Sequence, residues 1–313
     1  MRHYRFIDYL TQGYILLVAL ILVAFQGRNV QGWGWFLVAH AVALVGVHLL
    51  IQAGARWPGH RLLGFFRCYY PILCYTGFYR ECGYFNQMLV QGYLDAGFLR
   101  LELGLFGWQP GIELMERLPQ RWLAEALYFA YFSYYLMIGG VGLALFLRNR
   151  RQFDHFLAVV SCVFYVCYLT YIFTPVVGPR ILTRDVVPNP PLAAAGYDAP
   201  PTVPASVEAA AFYQLMLFIY DNFETPGAAF PSSHVAIALT TLYFSFLYLP
   251  RIRWLHLGLT LLLMTATVYG RYHYVVDVPA GMLTAALLIP LANWLYYRFT
   301  PLQPDEAPAA KPG

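Results

Sequence analysis

Phe230-Pro231-Ser232-Ser233-His234 runs straight into Val235-Ala236-Ile237-Ala238-Leu239 and an apolar stretch that continues to Leu249. A second polar cluster, His273-Tyr274-Val275-Val276-Asp277, stands 39 residues on from His234 at the mouth of another apolar run, Val278 to Tyr297. Between the two lies a third run, Leu255 to Tyr269, entered through the tight loop Pro250-Arg251-Ile252-Arg253. If each run crosses a membrane, the chain reverses twice between the clusters. Both then emerge on the same side and form one site.

Composition supports the crossing. Of 313 residues, 59% are hydrophobic and only 12% charged, too little polar surface for a soluble protein of this size. Several apolar runs approach the roughly 20 residues that span about 30 Å of hydrocarbon. Besides the three already named, these are Ile7 to Phe25, Trp33 to Ala53, Leu62 to Tyr79, Trp122 to Leu147 and Phe156 to Val177. The fold expected is therefore all-α, a polytopic membrane helical bundle of about eight candidate spans, with the catalytic core in the C-terminal half. Residues 1–120 read as N-terminal spans plus an interfacial amphipathic segment, 121–299 as the core with an outer loop at 178–229, and 300–313 as a disordered Pro- and Ala-rich tail. Arg67 interrupts the third run, which crosses if Arg67 and Arg80 snorkel toward opposite faces. His40 and His48, in the second run, read as helix-packing histidines.

Charge placement orients the bundle. With eight spans and the N-terminus inside, Arg2, Arg5, Arg56, Arg61, Arg148, Arg150, Arg151, Arg251, Arg253, Arg298 and Lys311 share one face, which the positive-inside rule makes cytoplasmic. The histidine clusters fall on the extracytoplasmic face. A net charge of +4 without a basic stripe speaks against nucleic acid as a partner. The five cysteines (Cys68, Cys74, Cys82, Cys162, Cys167) contain no CxxC pair, and no His, Cys, Asp or Glu spacing matches a metal site. Neither a metal nor another cofactor is expected.

The site itself reads as phosphoryl-transfer chemistry. An imidazole can attack phosphorus or hand a proton to a leaving oxygen near neutral pH. Asp277, four residues after His273, would orient that ring and free its other nitrogen. Pro279 favours a first helical turn, so the helix is expected to begin near Asp277 with His273 just ahead of it. Ser232 and Ser233 precede a helix N-terminus, where an anion is favoured, and either could equally cap that helix. Arg180, in Gly178-Pro179-Arg180, and Arg271 lie on the same face as candidate phosphate ligands.

Over Tyr171 to Trp294 these residues resemble the type 2 phosphatidic acid phosphatase superfamily, whose later motifs are Pro-Ser-x-His and His-x-x-x-Asp. The resemblance implies His273 as nucleophile, Asp277 as its partner, His234 as general acid, and no metal. Two positions depart from the pattern. Phe173 stands where a lysine is expected seven residues before Arg180, and Thr267 where an arginine is expected six before the nucleophile. The context Phe230 to Ala236 with Tyr272-His273-Tyr274 looks more like the branch that includes the inositol phosphorylceramide synthases. Three readings follow: hydrolysis of a membrane lipid phosphate, transfer of a phosphorylated headgroup to an alcohol or lipid acceptor, and a non-catalytic lipid-binding protein. The cost of ionisable groups near membrane depth favours an enzyme.

Overall fold

The computed structural model describes residues 3–25, 27–182, 197 and 201–300. Among them the chain forms thirteen helices and one isolated parallel bridge, Val176 with Ala228. In order these are α1 (Phe6–Ala24), α2 (Trp33–Arg56), α3 (Arg61–Phe85), α4 (Asp95–Phe106), α5 (Pro110–Arg117), α6 (Arg121–Arg148) and α7 (Arg150–Phe173). Then follow α8 (Pro179–Leu182), α9 (Ala205–Glu208), α10 (Ala211–Phe223), α11 (Ser233–Tyr248), α12 (Arg253–Tyr269) and α13 (Asp277–Phe299). The protein is an all-helical membrane bundle, and each of the eight apolar runs coincides with one helix.

Five of those helices, α1, α2, α6, α7 and α13, are long and apolar enough to cross a membrane on their own account, and α11 is a shorter apolar helix. α3 is long enough but carries Arg61, Arg67, Arg80 and Glu81. Arg67 does not snorkel as expected. Its guanidinium forms an ion pair with the fully buried Asp8 of α1, whose Oδ1 also accepts the Tyr70 hydroxyl at 2.7 Å. A buried partner in the neighbouring helix neutralises the charge more completely than a reach for the headgroups could. Arg5 extends this network to Asp154 of α7 at 2.7 Å, so α1, α3 and α7 are tied at the end that carries the basic loops.

α7 is the axial element. Most of its side chains are buried, and it packs against α1, α3, α6, α11 and α13. It begins six residues earlier than the apolar run because Asn149 caps it, accepting from the Arg151 and Gln152 amides at 2.9 and 3.2 Å. It stops at Phe173 because Pro175 disfavours helical geometry at Thr174. Polar side chains at membrane depth are used as ties between helices. His155 of α7 bonds Tyr248 of α11 at 2.9 Å and Asn293 of α13 at 2.6 Å, and His256 of α12 bonds Ser245 of α11 at 2.7 Å. His40 and His48 behave as packing histidines: His40 contacts the Phe36 carbonyl and Glu81, and His48 the Tyr4 hydroxyl. Arg2, Lys311, about a third of the outer loop (183–196 and 198–200) and the tail 301–313 lie outside the described residues.

The bundle positions the site by parity. α11 starts and α12 ends at one end, together with the exit from α7 and with α4, α5, α9 and α10. If the Asp8–Arg67 pair holds α3 in register, Arg67→Met strands a buried carboxylate. The thermal midpoint in detergent should then fall by the equivalent of about 3–5 kcal/mol, with Asp8→Asn in the same chain recovering part of it. An unchanged midpoint in the single variant would show the pair to be dispensable.

Candidate active site

His234 is the second residue of α11, set there because the Ser232 hydroxyl caps the helix, accepting from the Val235 amide at 3.3 Å. His273 lies in the turn between α12 and α13. The Thr267 carbonyl receives the amides of both Tyr272 and His273, at 3.0 and 3.1 Å, which folds that turn back over the end of α12. The position where a family arginine was expected thus shapes the turn through its backbone. α13 begins at Asp277, and the amide of Ser232 donates to the Asp277 carbonyl at 3.2 Å. This approach needs Gly281: a Cβ there would lie 2.5 Å from the Ser232 carbonyl oxygen.

Long-range folding brings three of the expected residues into one line. Asp277 Oδ2 lies 3.3 Å from His273 Nδ1, His273 Nε2 lies 3.4 Å from His234 Nδ1, and His234 Nε2 lies 3.1 Å from the Tyr131 hydroxyl. With Asp277 ionised and both rings neutral, one proton arrangement satisfies all three contacts. His273 donates from Nδ1 to the carboxylate, which leaves a lone pair on Nε2. His234 carries its proton on Nδ1 and accepts from Tyr131 at Nε2. A lone pair on His273 Nε2 and the N–H of His234 Nδ1 therefore face each other. Among the described residues, no group of three His, Cys, Asp or Glu side chains is placed to share a metal ion.

The remaining candidates are placed differently. Ser232 is fully buried and spends its hydroxyl on the cap, while the Ser233 amide donates to the Tyr171 hydroxyl at 3.2 Å. Arg180 does not face the histidines directly. Its guanidinium lies over the rings of Tyr220 and Tyr272, 4.8 and 5.6 Å from their centroids, and pairs with Glu224 and, at 3.5 Å, with Asp221. Burial opposes its charge, yet the Glu224 carboxylate beside it leaves its pKa above the ordinary value. Glu224 itself lines the cleft that holds both histidines. Arg271 is turned away. It donates to the carbonyls of Ile112, Pro201 and Thr202 and pairs with Glu116 at 2.9 Å, so it braces α5 and the segment before α9 instead of meeting a phosphate. With every guanidinium nitrogen engaged by a fixed acceptor, it has little left to offer.

Sequence reading missed two groups. The first is a stack of aromatic rings against the histidines: Tyr220 on Tyr272 at 4.5 Å, Tyr272 on Tyr131 at 4.2 Å, and Tyr131 on His234 at 4.9 Å. The available signal was the run Tyr128, Tyr131, Tyr134, Tyr135 at helical spacing in α6, which reads only as an aromatic span. The second is a pair of acids on α4. Asp95 accepts the Val177 and Gly178 amides at 3.0 and 2.9 Å and the Tyr274 hydroxyl at 2.9 Å. Glu102 accepts the Val275 amide, and the Gly111 amide at 3.3 Å. Together they clamp the turn between His273 and Asp277 to the exit from α7. Gly178, at φ +83°, permits the close pass, since a Cβ would sit 2.5 Å from the Tyr272 carbonyl oxygen.

An all-helical membrane bundle with paired histidines at one end is the class of protein that the fold and site define. The family model described as the PAP2 superfamily matches residues 98–291, and the chain belongs to that superfamily, whose members are in general phosphatases and phosphotransferases. No curated protein and no solved structure matches the chain.

Glu102 offers a pH test of the clamp. Burial pushes its carboxyl up to about 7, against the pull of the Val275 and Gly111 amides. The unfolded chain releases that proton near the ordinary 4.5. Between those values the folded state binds more protons, so stability falls as pH rises through the window. Glu102→Gln should flatten the fall in thermal midpoint between about pH 5 and pH 8. A slope equal to that of the parent protein would show that the Glu102 carboxyl is not raised by its burial.

Proposed function

We propose that the protein is a lipid phosphatase that works through a phosphohistidine on His273. The observation that carries this reading is the line from Asp277 through His273 and His234 to Tyr131, which supplies orienter, nucleophile and acid at the right atoms. His273 Nε2 attacks phosphorus, and the bond to the lipid oxygen breaks as His234, made an imidazolium by the proton that the bound phosphate monoester brings, gives that oxygen its Nδ1 proton and returns to the neutral ring. The cation left on His273 is stabilised by Asp277. In the second step neutral His234 takes a proton from water, which attacks the phosphohistidine and releases inorganic phosphate. Arg180, once freed from Glu224, stabilises the charge on the non-bridging oxygens, with the helix terminus at Ser233 beside it. These groups suffice without a metal or other cofactor.

One feature favours a second reading, transfer of the phosphorylated headgroup to an alcohol. His273 is only 2% exposed, and the cleft it shares with His234 holds only about 20 Å³. A site so enclosed limits water and suits a bound acceptor hydroxyl. Purified protein given a panel of lipid phosphates, with and without an alcohol such as inositol, separates the two by free phosphate against new phospholipid. His273→Ala should lower either activity by more than about ten-thousand-fold, beyond the usual span for loss of a general acid. His234→Ala should be partly rescued by a substrate with a good leaving group. Substantial turnover by the His273 variant would refute the nucleophile.

We place the site on the extracytoplasmic face. Four arginines at the histidine end are neutralised by glutamates: Arg117 by Glu113, Arg121 by Glu125, Arg180 by Glu224 and Arg271 by Glu116. Arg148, Arg150, Arg151, Arg251 and Arg253 crowd two short loops at the other end, which supports that end as cytoplasmic. In a background without the five native cysteines, Ser206→Cys should react with an impermeant thiol reagent from outside and Arg251→Cys only from inside. Both positions are exposed. Reaction of both from one side, or the reverse pattern, would overturn the assignment.

A further inference from the structure

A cavity of about 500 Å³ adjoins the histidine cleft. Tyr79, Tyr220, Glu224 and His234 line both, so one chamber opens into the other at the reacting imidazole. α3 and α6 form its walls, and both pack on α7, which supplies the floor through Phe164 and Tyr168. The mouth is on the flank of the bundle: Thr76, near the middle of α3, and Tyr135 of α6 line the cavity and are exposed. Exposure there, between two helices at membrane depth, means contact with lipid rather than water. Apart from Glu224, Ser233 and His234, the lining is aliphatic and aromatic with a few hydroxyls.

On the reading that His273 and His234 process a lipid phosphate, the geometry points to this cavity as the seat of the substrate's hydrocarbon chain. A single chain enters sideways from the bilayer between α3 and α6, and α3 decides which chains fit. The occupant follows from continuity with the catalytic cleft. The polar end of the cavity is His234 with Glu224, the carboxylate that a phosphate must displace from Arg180, and the apolar remainder leads away into the bilayer. Its extent also matters. Ile72 to Tyr79 on α3 covers about 10 Å of helix axis, about a third of the hydrocarbon thickness. The groove therefore grips the part of the chain next to the phosphate and leaves the rest among the lipids. Because lipid tails are as apolar as the groove, entry gains little from transfer alone. The groove acts by orienting the ester bond toward His273. The α3 wall lies outside the family match at 98–291.

The test compares hexadecyl phosphate with butyl phosphate in detergent micelles. Thr76→Trp and Ile138→Trp narrow the groove and should lower the ratio of kcat/KM for the long over the short ester at least tenfold. Leu73→Trp, on the lipid-facing side of α3 and 58% exposed, should leave the ratio as it is. A ratio unchanged in both groove variants overturns the proposal while leaving the phosphatase reading intact. A diazirine-bearing hexadecyl phosphate gives a readout that needs no turnover. It should crosslink to residues between Ile72 and Tyr79 and between Phe132 and Ile138. Crosslinks confined to other helices overturn the groove even in an active enzyme. Crosslinks at the groove in a protein that turns over no phosphate ester support the groove and refute the phosphatase reading instead.

Discussion

A carboxylate buried at the head of a membrane helix costs several kcal/mol unless hydrogen bonds and a compensating charge receive it. Asp277 meets that constraint with one oxygen, which accepts the Tyr274 amide at 2.9 Å and the His273 ring at 3.3 Å. Satisfying the carboxylate thus orients the His273 ring, and that orientation fixes which nitrogen of His234 must carry a proton. Tyr131 completes the line from α6. Four separate segments are held in register by one buried charge, which ties the stability of this end of the bundle to its chemistry.

The same constraint recurs wherever the bundle admits charge. Asp8 takes Arg67 and Tyr70, and Asp95 takes two amides and the Tyr274 hydroxyl. Arg271 takes three carbonyls and Glu116. Each polar group is satisfied by an element distant in sequence, so the ties act as staples between helices whose apolar faces alone would slide. Arg180 and Glu224 differ in kind, because their pairing stands at the edge of the cleft. Glu224, at the end of α10, also borders the apolar cavity.

The helices were legible in the sequence because crossing hydrocarbon imposes a local pattern: apolar length, basic loops at one end, and a cap such as Ser232 at a start. His234, His273 and Asp277 were legible for a related reason, since each stands at the mouth of such a run and parity sends them to one side. Boundaries were less so. The start of α7 depends on the Asn149 cap, and the crossing of α3 on a partner in another helix rather than on the reach of Arg67 toward the surface.

What the amino-acid sequence determined by itself is the all-helical membrane class, the shared end of the two motifs and the residue types that phosphoryl transfer requires. Tertiary structure alone decided which arginine stands beside the cleft. Arg180 and Arg271 look alike as interfacial guanidiniums, yet one rests on rings beside the cleft and the other is consumed by carbonyls of Ile112, Pro201 and Thr202. It also decided the part played by Tyr131, Tyr220, Tyr272, Asp95 and Glu102, and the placing of α3 beside the cleft. The physical reason is separation along the chain. A tyrosine 103 residues from His234 completes that ring's hydrogen bonds, and no periodicity or local spacing encodes a contact made only when distant helices pack.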